Sequence, residues 1–199
     1  GEIDPERTFS LIQEIFNFTR ADKLVELPPV EVERIPAEVA YREERLPVNQ
    51  GKLTLGYRTN ISYQDEEYID LLFYNAILGG FPHSKLFQNV REKASLAYYV
   101  FSRLEKHKGI QLIGSGIEVP NYQQALEIIL QQVELIKKGQ ISREEMENTR
   151  RALINRFRIV GDSPYSMVGF YIDGLIGKRS EEVEHFIRRI EGIKEEDIV

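Results

Sequence analysis

Apolar residues recur along this chain with a period that changes from helical to alternating and back. Behind Asp4, a good N-cap, and Pro5, suited to a first helical position, Phe9, Ile12, Ile15 and Phe16 fall at helical spacing and predict a first helix. From residue 20 to 48 the pattern breaks. Four of the eight prolines, Pro28, Pro29, Pro36 and Pro47, stand there among alternating Glu, Arg and Val, which predicts an extended linker. Leu53, Leu55 and Tyr57 then alternate, as in a strand with one buried face, over residues 51–59. Asp65-Glu66-Glu67 opens a helix with acid in its first turn. Ile69, Leu72, Phe73, Ala76 and Ile77 form its apolar stripe, and Gly79-Gly80 ends it.

After Pro82, residues 84–93 read as helix, with Ser84 as N-cap and Leu86, Phe87 and Val90 inward. Residues 96–104 and 109–118 read as two strands, and the polar turn Lys106-His107-Lys108-Gly109 makes them a hairpin. A helix over 121–138 stops at Gly139. Ser142 and Glu145 form a capping box that opens a helix to about residue 159. Two shorter helices follow, over 166–176 and 180–190. This order predicts an α+β fold: an antiparallel sheet with helices packed on one face.

The composition removes whole classes of chemistry. With no cysteine in 199 residues, disulfides, thiolate metal sites and cysteine nucleophiles are excluded. A formal charge of −6, from 32 acidic and 26 basic residues, opposes nucleic-acid binding. No apolar run approaches the roughly 20 residues of a membrane span, so no membrane partner is expected. Gly1-Glu2-Ile3-Asp4-Pro5 has no signal-peptide character and no initiator Met, and is read as a cut into a longer chain, with a cytoplasmic setting expected.

There are three histidines, and no two are spaced i, i+4 to share a helix face. His107, flanked by lysines in a turn, is expected to be solvated. His185 lies four residues after Glu181 and is expected to form a surface ion pair. His83, beside Gly79-Gly80, reads as surface, with a groove-lining role as the alternative. A zinc site built from this chain alone is not expected. The Gly79-Gly80-Phe81-Pro82-His83-Ser84-Lys85 run follows a helix, so it fits neither a Walker loop nor a dinucleotide fingerprint. Ser163 and Ser166 have no histidine near in sequence to suggest a triad.

The most distinctive stretch runs from Leu78 to Val100. Arg91 falls near a helix end and Tyr98 at the start of the next strand. An arginine fork and a phenol placed so can converge on one carbonyl or carboxylate. On the residues alone the alternative is a surface arginine and an ordinary strand tyrosine.

The same stretch resembles the second half of pitrilysin-type zinc metallopeptidases, the family of insulysin and the mitochondrial processing peptidases. That family's pattern is Leu-Gly-Gly-x-x-x-Ser-(Arg/Lys)-Leu-Phe, then Arg-Glu-Lys-x-x-Leu-Ala-Tyr. Here it is matched from Leu78 to Phe87 and from Arg91 to Tyr98. The opening residues resemble the end of a preceding half, and the proline-rich segment a connector between halves. The resemblance departs at Phe81, where the family has a third glycine, and mildly at Lys85, where arginine is usual.

This resemblance implies one half of a two-half α+β fold that encloses an extended peptide. The expected division is residues 1–45 as the tail of a preceding half and linker, and 46–199 as the non-zinc, substrate-binding half. Arg91 and Tyr98 would bind substrate backbone, with Tyr98 stabilising a developing oxyanion. Zinc would belong to an inverted His-x-x-Glu-His motif in the other half, in the same chain or in a paralogous subunit. The expected function is therefore a catalytically silent half of a zinc peptidase acting on small or unfolded polypeptides. The alternatives are a metal-free homologue serving as peptide-binding or assembly subunit, and a purely structural scaffold. A homodimer is a further possibility for its partners.

Overall fold

The computed structural model describes residues 3–17 and 35–199. The predicted linker prolines Pro28 and Pro29 lie outside the described residues. Pro36 and Pro47 fall in residues 35–49, which carry no helix or strand, as the proline spacing predicts.

Three strands form the sheet: β1 (Gln50–Arg58), β2 (Ala97–Glu105) and β3 (Ile110–Glu118). Their order is β1-β3-β2, and both pairings are antiparallel. The β2–β3 hairpin closes through a turn in which the Lys108 amide donates to the Glu105 carbonyl at 2.8 Å and Gly109 takes a left-handed φ of 57°. The alternation read from the sequence is realised. In β1, Leu53 is buried and Leu55 and Tyr57 are half-buried, while Lys52 and Thr54 face outward; in the other strands Val100, Ile113 and Ile117 are buried.

The helices are α1 (Pro5–Ile15), α2 (Tyr68–Asn75), α3 (Tyr122–Lys137), α4 (Arg143–Arg158), α5 (Pro164–Ile176) and α6 (Val183–Gly192). Of these, α2, α3, α4 and α6 bury residues in the core on the inner face of the sheet. The core joins Ile69, Phe73 and Ile77 of the second helical stretch to Ile129 and Ile136 of α3, Leu153 of α4, and Phe186 and Ile190 of α6. Each fully buried side chain of this size contributes roughly 1.5–3 kcal/mol. The α+β architecture with helices on one face is thus the observed one.

Two of the predicted capping signals hold. The Asp4 carboxylate accepts from the amides of Glu6 and Arg7, and Ser142 and Glu145 bond reciprocally to open α4. The apolar stripe of α1 behaves differently from expectation: Phe9, Ile12 and Ile15 are exposed, and no residue of α1 joins the core. Along α5, Tyr165 and Leu175 are likewise exposed, at 91% and 80%.

Two helical predictions are corrected. Asp65 does not sit in the first turn of α2, which begins at Tyr68. Its carboxylate instead accepts from the amide and hydroxyl of Ser62, closing the turn before the helix. Ser84 does not act as an N-cap. Its hydroxyl is buried with no hydrogen-bond partner, and the segment after it widens into a π-helical turn, Phe87–Lys93, in which the Ala94 amide reaches back five residues to Asn89.

On the open face the sheet is paved with aromatic rings. Tyr99 and Phe101 of β2 stack with ring centroids 6.1 Å apart. They lie flat across β3, where a Cβ on Gly116 would meet Tyr99 at 2.4 Å and one on Gly114 would meet Phe101 at 2.5 Å. The two glycines leave room for the rings.

Candidate functional site

The candidate site is assembled at the junction of α2, the π-helical turns and β2. After α2 the chain runs through a first π-helical turn, Ala76–Gly80, directly against β2. A Cβ at Gly79 would lie 2.5 Å from the backbone nitrogen of Ser102 and 2.8 Å from its Cβ. Beside this contact a buried polar network ties the helix to the sheet. The Ser102 hydroxyl donates to Asn75 Oδ1 at 2.7 Å and accepts from Gln111 Nε2 at 2.9 Å, while Asn75 Nδ2 donates to the Ser102 carbonyl at 3.3 Å. Away from water, such a fully paired network fixes one arrangement.

The Ser84-Lys85 pair of the motif turns inward. Lys85 is 7% exposed, and its ammonium is 2.8 Å from Glu145 Oε1 at the start of α4. Burial pushes the Glu145 carboxyl up, but the Lys85 ammonium and the bonds with Ser142 hold it below its ordinary value. Asn89 donates to Gln132 Oε1 of α3 at 3.0 Å. These residues anchor the second π-helical turn onto α3 and α4. Lys85 is therefore a tether between the motif and α4.

That turn ends in a tight reversal. Ser95 adopts a left-handed φ of 53°, its amide donates to the Arg91 carbonyl, and the Leu96 amide donates to the Val90 carbonyl. Seven residues of sequence are thereby folded back, so Arg91 closes one element as Tyr98 opens the next. Arg91 packs its guanidinium 4.6 Å from the Phe87 ring centroid and lies 3.8 Å from Glu92, with its side chain 43% exposed. Tyr98 is 58% exposed, and its phenol donates to Glu118 Oε1 at 3.3 Å. Arg91 and Tyr98 make no hydrogen bond to each other. Both keep polar atoms open to solvent: a guanidinium with five donors and a phenol that both donates and accepts.

The histidines divide. His185 pairs with Glu181 at 3.4 Å, as its spacing predicts. His83 lies flat against Phe81, 5.3 Å between centroids, and its Nε2 is 3.3 Å from Thr149 Oγ1; burial pushes its pKa down. His107 corrects the solvated reading. Its Nε2 is 3.2 Å from Asp173 Oδ1 of α5, which Lys106 also contacts, and its ring lies 5.6 Å from Tyr63. The Ser163 hydroxyl accepts from the Ser166 amide and caps α5, with no histidine in hydrogen-bond reach.

Two structural features had no sequence signal. Arg179 is buried, donates to the carbonyls of Tyr63 and Asp65, and lies 5.1 Å from the Phe186 ring centroid. Glu118 is the other, and only the folded register brings it to Tyr98. Among the described residues no group of three or more His, Cys, Asp or Glu side chains is placed to hold a metal ion, so the residues present do not fit a zinc site. No helix among them is long and apolar enough to cross a membrane.

Comparison with known proteins places the fold. A family model described as the peptidase M16 inactive domain matches residues 1–153. A protein of Bacillus subtilis (strain 168) named probable inactive metalloprotease YmfF is 38% identical over 200 residues, covering 100% of this chain and 46% of its own length. The crystal structure of a conserved protein from Enterococcus faecalis V583 superposes with a TM-score of 0.83 at 31% identity, covering 98% of this chain and 46% of that one. A protease from Helicobacter pylori shares the fold, with a TM-score of 0.79 at 18% identity over 98% of this chain and 48% of its own. The chain thus spans about half the length of these relatives.

Proposed function

Because the chain belongs to the peptidase M16 inactive-domain family, the pitrilysin type, we propose that it is the substrate-binding, catalytically silent half of a zinc peptidase acting on small or unfolded polypeptides. Residues 46–199 form that half, and residues 1–45 are the tail of a preceding half and the connector. The zinc-bearing half lies in the same chain or in a paralogous subunit, and the setting is cytoplasmic, which suits a chain without cysteine.

One observation carries the reading: Arg91 and Tyr98 stand at consecutive ends of a rigidly folded reversal with their polar atoms turned to solvent. Ser84 and Lys85 of the same motif are instead buried inside the fold. Arg91 is suited to a peptide carbonyl or substrate carboxylate, and Tyr98 to an oxygen that gains charge as the bond breaks.

Two outcomes test this. The isolated chain, dialysed and assayed with an unfolded peptide, retains no stoichiometric zinc and releases no product; one zinc per chain after dialysis overturns the reading. Assembled with the zinc-bearing half, Arg91→Ala raises KM for the peptide severalfold, because binding shared by ground and transition states is lost. An unchanged KM and kcat would leave Arg91 an ordinary surface residue.

A second reading is favoured by the name of the Bacillus relative: a metal-free homologue that binds peptide or supports assembly beside a zinc-bearing paralogue. Metal analysis of the full-length protein tests it: one zinc per polypeptide excludes a metal-free homologue and leaves the first reading.

A further inference from the structure

The register of β2 against β3 slips by one residue at Tyr98. Ala97 faces Ile117 and Tyr99 faces Gly116, so Tyr98 is an extra residue with no partner on β3. A bulge of this kind breaks the alternation and re-aims one side chain. Tyr99, the neighbour that keeps its register, has its ring held flat over Gly116 and stacked on Phe101. Tyr98 has no such bed. Its phenol is fixed at one point, by donation to Glu118 Oε1 at 3.3 Å.

Glu118 is the last residue of β3 and stands twenty positions beyond Tyr98 in sequence. Among the described residues its carboxylate makes no other hydrogen bond and no ion pair. Lys52, the basic residue of β1 nearest its register partner Gln50, does not reach it. The carboxylate is therefore committed to the phenol alone.

We infer that Glu118 is a positioning residue for Tyr98, holding the phenol of the bulged residue at the substrate-facing end of β2. The inference rests on the reading of Tyr98 as a substrate-binding residue. A phenol has one hydrogen to give. In the free protein it goes to Glu118, which fixes the ring. A bound peptide carbonyl takes the hydrogen by rotation about the C–O bond, with the ring already in place. Holding a side chain in its working position before the substrate arrives lowers the ordering cost at the moment of reaction.

The test is a double-mutant cycle in the full protein assembled with its zinc-bearing half, with kcat/KM for an unfolded peptide as readout. Glu118→Ala is expected to lower kcat/KM about tenfold, within the range for coupled neighbours. Glu118→Gln, which keeps an acceptor oxygen, is expected to recover most of that loss. In a Tyr98→Phe background, Glu118→Ala is expected to have no further effect. Both positions are exposed, so unfolding temperatures should stay close to that of the parent.

A gain in kcat/KM for Glu118→Ala would make the carboxylate a competitor for the phenol and overturn the inference. So would an equal loss with and without the Tyr98 hydroxyl, or no loss at all. If Tyr98→Phe keeps its own large loss in these cases, only the role of Glu118 falls. A silent Tyr98→Phe overturns the substrate-binding reading and the inference together.

Discussion

Replacing Tyr98 with phenylalanine is expected to lower the turnover of the assembled peptidase by about 10²-fold, the order measured when one oxyanion donor is removed. The substitution deletes one oxygen from a side chain that is 58% exposed and leaves the ring in place. No core contact is lost and no buried partner is orphaned, since Glu118, the acceptor, is itself exposed. Stability should therefore change by less than about 0.5 kcal/mol. A large kinetic effect with an unmoved unfolding curve is the signature of a group that acts on the reacting bond. Steady-state kinetics with an unfolded peptide, run beside thermal unfolding, makes the comparison. Unchanged turnover would return Tyr98 to an ordinary strand tyrosine.

Gly79→Ala should act in the opposite sense, on the fold rather than on the chemistry. The added methyl would sit 2.5 Å from the Ser102 nitrogen, 2.8 Å from the Ser102 Cβ and 3.0 Å from Leu86 Cδ1. The first of these is backbone in the middle of a strand, which cannot turn aside as a side chain can. Relief requires the helix end and β2 to part, and that would stretch the bonds among Asn75, Ser102 and Gln111. Overpacking at such a site costs about 3 kcal/mol, or a fall in Tm of roughly 6–12 °C for a chain of this size. The neighbouring Gly80→Ala is the control. Its nearest atoms would be the Asn75 carbonyl oxygen at 3.4 Å and the Ala76 Cβ at 3.6 Å, close to ordinary contact. That substitution should stay within about 1 kcal/mol of the parent. Equal losses for the two alanines in urea or thermal unfolding would refute the steric account.

The legible parts of the fold were those governed by neighbours in sequence. Ser142 and Glu145 are three residues apart, and the capping box they predict is present. Leu53 lies buried and Leu55 and Tyr57 half-buried on the face that alternation assigns them. What the pattern missed depends on distant partners. His107 looked solvated because its lysine neighbours are visible, whereas Asp173, 66 positions away, is not. Ser84 looked like a cap because it precedes a helical run, yet the run widens to π spacing and leaves its hydroxyl without a partner. The glycine pair could be seen, but not that only Gly79 is required, since the atom it makes room for lies 23 residues later. The candidate site divides the same way. Arg91 and Tyr98 were found through a family pattern, while Glu118 reaches the phenol by a bulged register that no local pattern encodes.

The flat aromatic paving of the open sheet face has an energetic consequence of its own. A surface of lysines and glutamates surrenders rotamer freedom when something settles on it, up to about 2 kcal/mol for each long side chain. Tyr99 and Phe101 have already lost that freedom, because the missing side chains of Gly116 and Gly114 let each ring rest on the backbone beneath it. Whatever covers this face therefore meets rings that were ordered when the protein folded, and more of the contact free energy is left as affinity.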